Sequence, residues 1–193
     1  MSDDGELARW AARAPEVPAA WFLHASRLHG VSHTQRVHIH AQRLTELLAW
    51  DAGDTALVLR AALLHDIGRR HDGADPWHGA SSASRAEQLG LVDDLTPDEV
   101  DVVLFAVTYH SRADKRAVRA LERRAGERGS AREQARRPEP VRALRILWLL
   151  KDADALDRVR LHYPAGADPR MLRHPESEGL MPFAEALYAA SRD

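Results

Sequence analysis

Leu57, Val58, Leu59, Ala61, Ala62, Leu63 and Leu64 leave almost no polar face on the helix they predict, and that helix runs directly into His65-Asp66. A helix that is apolar nearly all round is stable in water only when neighbours cover every side. The rest of the chain must therefore supply elements that wrap it, and the pattern of those elements is also helical.

After Gly30, Ser32 and Gln35 have the spacing of a capping box, with Val37, Ala41, Leu44 and Leu48 following at helical intervals. Asp51-Ala52-Gly53-Asp54 predicts a stop, with Asp54 as cap of the central helix and Gly68 as its end. Residues 69–76 read as a polar loop, and Asp75-Pro76 opens a helix to about Leu89 that Gly90 closes. Thr96-Pro97-Asp98-Glu99 is the clearest start signal, leading through Val100, Val103, Leu104 and Val107 to His110.

Residues 112–140 are arginine-rich and poor in large apolar side chains, which predicts a charged, solvated helical insertion with a partly mobile linker. The core resumes at Val141 and runs through Leu144, Ile146, Leu147, Trp148, Leu149 and Leu150 into Lys151-Asp152-Ala153-Asp154. Residues 163–193 read as a broken loop and a short helix from Pro182 to about Ala190. With no internal repeat, convincing strand, glycine-rich phosphate loop or GxSxG elbow, the expectation is an all-α, single-domain bundle over residues 1–193.

A chain of 193 residues can bury a core for one domain without staples. It has no cysteine, which removes disulfides, thiolate metal sites and cysteine nucleophiles. Any metal must take nitrogen and oxygen ligands, which suits Mn, Fe, Mg, Co or Zn. A net charge of −2 gives no reason to expect specific nucleic-acid binding. The acidic start and the lack of a long apolar run argue against a signal peptide or membrane span, so a cytoplasmic location is expected. Eleven histidines, several near aspartates, are the compositional oddity.

Two His-Asp dipeptides occur, and their settings differ. His71-Asp72 lies in a charged loop and reads as solvated, whereas His65-Asp66 ends the most apolar helix. A carboxylate buried there must be paired or metal-bound, because burying it alone costs several kcal/mol. His33 starts the apolar stripe of Val37, Ala41, Leu44 and Leu48. Asp154 continues the face of Ala143, Leu147 and Leu150, while Asp152 points roughly 200° away, so only one of them easily reaches the same ion. His78 and His110 fall on two further helices.

His33 with Arg36, then Leu63-Leu64-His65-Asp66-Ile67-Gly68-Arg69, then Lys151-Asp152-Ala153-Asp154-Ala155-Leu156 resemble the ordered H…HD…D signature of the HD superfamily. The resemblance runs from about residue 28 to 162. It implies a helical bundle and a metal-dependent phosphohydrolase, with His33, His65, Asp66 and Asp154 (Asp152 as the alternative) as ligands. Some branches add two histidines for a second metal, and His78 and His110 occupy that interval in order, with Asp66 as the implied bridge. The cofactor expected is thus one or two divalent ions.

In-line attack on a phosphoryl group needs positive charge around its oxygens. Arg36 and Arg69 are the candidates, with Asp72 and Asp157 as groups that orient histidines or carry protons. The partner implied is a small phosphorylated substrate, a nucleotide in the first instance, and an oligomer is possible. Two alternatives stay open: a di-iron HD-fold oxygenase using the same ligands, and a non-catalytic nucleotide-binding module.

Overall fold

In a computed structural model of the chain, residues 3–126, 138–161 and 166–191 are described, and they contain helices and 3-10 turns with no strand. The helices are α1 (Asp3–Ala11), α2 (Val31–Leu47), α3 (Ala52–Leu64), α4 (His78–Gln88), α5 (Pro97–Tyr109) and α6 (Asp114–Gly126). They continue with α7 (Pro140–Leu156), α8 (Pro175–Glu178) and α9 (Met181–Ala190). Among the described residues no helix is long and apolar enough to cross a membrane.

The near-uniformly apolar α3 sits at the centre, packed against α2, α4, α5 and α7. Leu57, Val58, Ala61, Ala62 and Leu64 are buried in one core with Val37, Ala41 and Leu44 of α2 and Ile146, Leu147, Leu149 and Leu150 of α7. A second, smaller cluster of Trp10, Ile39 and Leu187 docks α1 and α9 on the outer side of α2. Nothing in the sequence pattern had marked α1 as a helix.

Several start signals resolve differently from the sequence expectation. Gly30, not Ser32, caps α2, and the Gln35 amide donates to the Pro15 carbonyl at 2.9 Å instead of closing a capping box. Asp51, not Asp54, caps α3 by accepting from the Asp54 backbone N–H, and the helix begins at Ala52, three residues before the expected start. Asp54 then holds Arg142 and Arg145 of α7 at 2.7 and 2.6 Å. The Thr96 signal is as expected: Glu99 accepts from the Thr96 backbone N–H at 2.9 Å, with Pro97 in the first turn.

The charged insertion is partly a core element. Ala117, Ala120 and Leu121 line one face of α6 and are buried, since small residues at helical spacing let it pack closely. Residues 127–137 of that insertion lie outside the described residues. Val141 is 73 % exposed, so the core face of α7 starts after it.

α3 ends at Leu64, and His65-Asp66 occupy the turn that follows. Gly68 closes this turn against α4: a Cβ there would lie 2.2 Å from the Ser82 nitrogen. Gly79 does the same between α4 and α5, where a Cβ would meet the Val107 and Thr108 carbonyls at 2.5 and 2.8 Å. These two close approaches set the distance of α4 from the His65-Asp66 turn and from the end of α5.

Candidate metal centre

Five places in the chain deliver side chains to one point. α2 brings His33, the turn after α3 brings His65 and Asp66, the first residue of α4 is His78, the cap of α5 is His110, and α7 brings Asp154. Three of the four imidazoles are oriented by the same local device. His65 Nδ1 reaches the Ala62 carbonyl at 2.8 Å, His110 Nδ1 the Val107 carbonyl at 2.7 Å, and His78 Nδ1 the Asp75 carbonyl, each three residues back. His33 Nδ1 instead meets Asp157 Oδ2 at 2.6 Å.

A carbonyl accepts only, so each of those Nδ1 atoms carries its proton. The neutral ring then presents Nε2 as a bare lone pair. His33 Nε2 and His65 Nε2 lie 3.0 Å apart, with Asp66 Oδ2 at 3.5 and 3.6 Å from them and Asp154 Oδ1 at 3.4 Å from His33. On the other side His78 Nε2 and His110 Nε2 lie 2.9 Å apart, at 3.0 and 3.6 Å from Asp66 Oδ1. Asp66 gives one oxygen to each cluster. Acceptors brought this close in a buried site repel one another unless a cation lies among them. Nitrogen and oxygen donors in this number fit divalent transition metals or magnesium.

Ionisation follows the same logic. Burial pushes the His65 imidazole down to about 3, so it is neutral at ordinary pH. Burial opposes charge on Asp66, yet the surrounding imidazoles outweigh it and hold the carboxyl well below its usual range. For His33, burial and Arg160 disfavour the charged ring, but Asp157 and Asp66 favour it and the balance is upward.

The other late aspartate is directed elsewhere. Asp152 is fully buried and accepts from the backbone N–H groups of Arg173 and His174 and from the Ser177 hydroxyl, each at 2.9 Å, tying the C-terminal segment to α7. Asp154 is 32 % exposed and lines a cleft of about 510 Å³ that also touches His110.

Arg36 does not face that cleft. Its Nε and Nη2 donate to Asp157 at 2.6 and 3.1 Å, and it is buried, so it acts on His33 through Asp157 and is not placed as a phosphate ligand. The reason is chain-distant: the 3-10 turn Asp157–Arg160 packs under α2 and offers it a carboxylate. Burial opposes charge on Asp157, but His33 and Arg36 hold it ionised far below the carboxylate range. Arg69 does stay at the centre, with Nε 3.1 Å from Asp66 Oδ1. Asp72 is withdrawn: it accepts from the Ser26 hydroxyl and pins the loop before α2.

Sequence reasoning missed His29. Its Nδ1 lies 3.1 Å from Asp66 Oδ2 and 3.3 Å from Arg160 Nη2, in a loop that Ser26 braces by accepting from the His29 backbone N–H. The available signal was its place four residues before His33.

No curated protein and no solved structure matches this chain. The sequence model of one family, described as the HD domain, matches residues 30–159. That span runs from the cap of α2 through Asp157 and includes every donor of both clusters. The chain belongs to the HD domain family, whose members are generally metal-dependent phosphohydrolases.

Proposed function

We propose that this protein is a two-metal phosphohydrolase that cleaves a phosphoester or phosphoanhydride bond of a small phosphorylated compound, a nucleotide being the expected class. One observation carries the reading: four Nε2 lone pairs and the two aspartates converge with every histidine proton already committed elsewhere. His33, His65, Asp66 and Asp154 would hold one ion, and Asp66, His78 and His110 the other. Bound there, divalent ions supply Lewis-acid polarisation of a phosphoryl oxygen and lower the pKa of a ligated water from 15.7 towards about 7.

The chain's own groups have distinct tasks. Asp157, held by Arg36, keeps the His33 proton on Nδ1 and its Nε2 free. Arg69 lies against Asp66 and limits the negative charge of the shared carboxylate. The partial exposure of Asp154 and its place on the cleft wall leave that side open to a phosphoryl group.

The test is metal analysis of the purified protein, then phosphate release from a nucleotide panel with Mn²⁺ or Mg²⁺ under argon. His65→Ala and Asp154→Ala are expected to abolish turnover. Full activity in either variant overturns the assignment, as does oxygen consumption by bound iron with no phosphate released.

A further inference from the structure

The cleft beside Asp154 and His110 is strongly cationic. Arg112, Lys115, Lys151, Arg158 and Arg173 line it, against the carboxylates of Asp114 and Asp154. Asp154 belongs to the donor cluster. Asp114 is already engaged, with Oδ1 taking Lys151 Nζ at 2.6 Å and Arg173 Nη2 at 2.9 Å, and Oδ2 taking Arg173 Nε at 3.1 Å. Lys151 and Arg173, whose Nη1 also meets Asp152 Oδ1 at 3.3 Å, are thus engaged within the protein, and Arg112 and Lys115 remain as the cations to consider on this wall.

Arg112 is built for a ligand. Its guanidinium lies 4.2 Å over the Trp77 ring and 5.5 Å from that of Tyr109, while its backbone carbonyl accepts from Lys151 Nζ. Stacking on aromatic faces fixes the planar group, so little freedom is lost when it grips an anion. Its Nε is nevertheless buried with no hydrogen-bond partner. A buried donor left unmade is a standing cost that an oxyanion would remove. Lys115, exposed at the start of α6, adds a mobile charge on the same wall.

Size points the same way. A phosphoryl group seated on the metal donors uses only the Asp154–His110 end of the cleft. A volume of about 510 Å³ is that of a pocket for a ligand far larger than phosphate.

We propose that this cleft is a second phosphate subsite, with Arg112 and Lys115 as its gripping residues, so that the substrate carries at least one phosphate besides the one attacked. The inference rests on the phosphohydrolase reading for its first phosphate. Compounds bearing two or more phosphates, such as nucleoside diphosphates or bisphosphates, then bind across both subsites and monophosphates across one.

Binding of non-hydrolysable probes separates the two claims. Mn²⁺-loaded protein would be titrated calorimetrically with propylphosphonate and with ethane-, propane- and butane-α,ω-diphosphonate. At least one diphosphonate is expected to bind tenfold or more tighter than the monophosphonate. That preference should fall to within threefold in Arg112→Ala/Lys115→Ala. Lys115→Glu, at an exposed position, should weaken diphosphonate binding even if the double variant folds poorly. In kinetics, the ratio of kcat/KM for ADP over AMP should drop at least tenfold in the double variant. Equal affinity for mono- and diphosphonates in the wild type, or an unchanged preference in the variants, overturns the subsite. Diphosphonate selectivity that depends on Arg112 and Lys115, without turnover of any nucleotide, keeps the subsite and defeats the hydrolase reading instead.

Discussion

Asp157→Asn tests whether the centre depends on a carboxylate that touches no donor atom of either cluster except through His33. Asp157 is fully buried and meets His33 Nδ1 at 2.6 Å, Arg36 Nε at 2.6 Å and Arg36 Nη2 at 3.1 Å. Asparagine has one acceptor oxygen where the carboxylate has two. Its amide N–H₂ must therefore confront either the His33 proton or the Arg36 fork. Facing His33, it drives the proton to Nε2, the atom aimed at the donor cluster. Loss of such an orienting partner costs roughly 10–100-fold in metal affinity, or about 1.4–2.7 kcal/mol. The fold loses too, because Arg36 is left with a buried charge. Breaking a buried pair costs about 3–5 kcal/mol, and the lower end applies where one acceptor survives, which lowers the melting temperature by roughly 6–12 °C. Asp152→Asn is the matched control: an equally buried carboxylate on α7, bound to Arg173, His174 and Ser177 and turned from the centre. It should cost comparable stability while leaving Mn²⁺ affinity within about twofold of wild type. The assay is Mn²⁺ calorimetry on chelator-stripped protein beside a circular-dichroism melt. Wild-type Mn²⁺ affinity in Asp157→Asn, or an equal loss in Asp152→Asn, would refute the reasoning.

Three further outcomes are expected. Gly79→Ala places a Cβ 2.5 Å from the Val107 carbonyl and 3.1 Å from His110 Nδ1, so α4 must back away and part His78 from His110; metal analysis should show one of the two ions lost and the other retained. His40 is buried with neither ring nitrogen partnered, and burial pushes its pKa from 6.5 down to about 4. Below pH 6.5 the unfolded chain takes up a proton that the folded chain refuses until about pH 4, so stability falls across that window by up to about 3 kcal/mol and then levels off. Urea unfolding at pH 7 and pH 4.5 should show His40→Leu gaining on wild type at the lower pH, and a gap independent of pH would contradict this. His29→Phe removes the ring nitrogen 3.1 Å from Asp66 Oδ2, and Mn²⁺ affinity should drop about tenfold; no change would make His29 a bystander.

What the sequence made legible, and what it hid, divides along how far each group's partner lies in the chain. The central α3 could be read because a helix without a polar face has only one stable placement. His65 and His110 could be read as inward groups because each caps a buried helix and leans on its own carbonyl three residues back, a geometry the local backbone supplies by itself. The contrast between Asp152 and Asp154 is equally local, since two residues on a helix are roughly 200° apart.

Charge environment has no such local rule. Arg36 looks like a phosphate ligand from its spacing to His33, yet a carboxylate 121 residues away claims it. His33 itself is oriented by that same carboxylate, 124 residues on, and so differs from the other three histidines in a way no short motif encodes. The cationic cleft is assembled from Arg112, Lys151, Arg158 and Arg173, which no spacing rule connects. A signature of this kind therefore reports where donors converge, because much of their aim is built into the turns that carry them. It is silent on the charges around them, because the destinations of arginines and lysines are decided by tertiary packing. That is why tests on Arg112 and Lys115, and not further substitutions among the histidines, bear on the proposed second phosphate subsite.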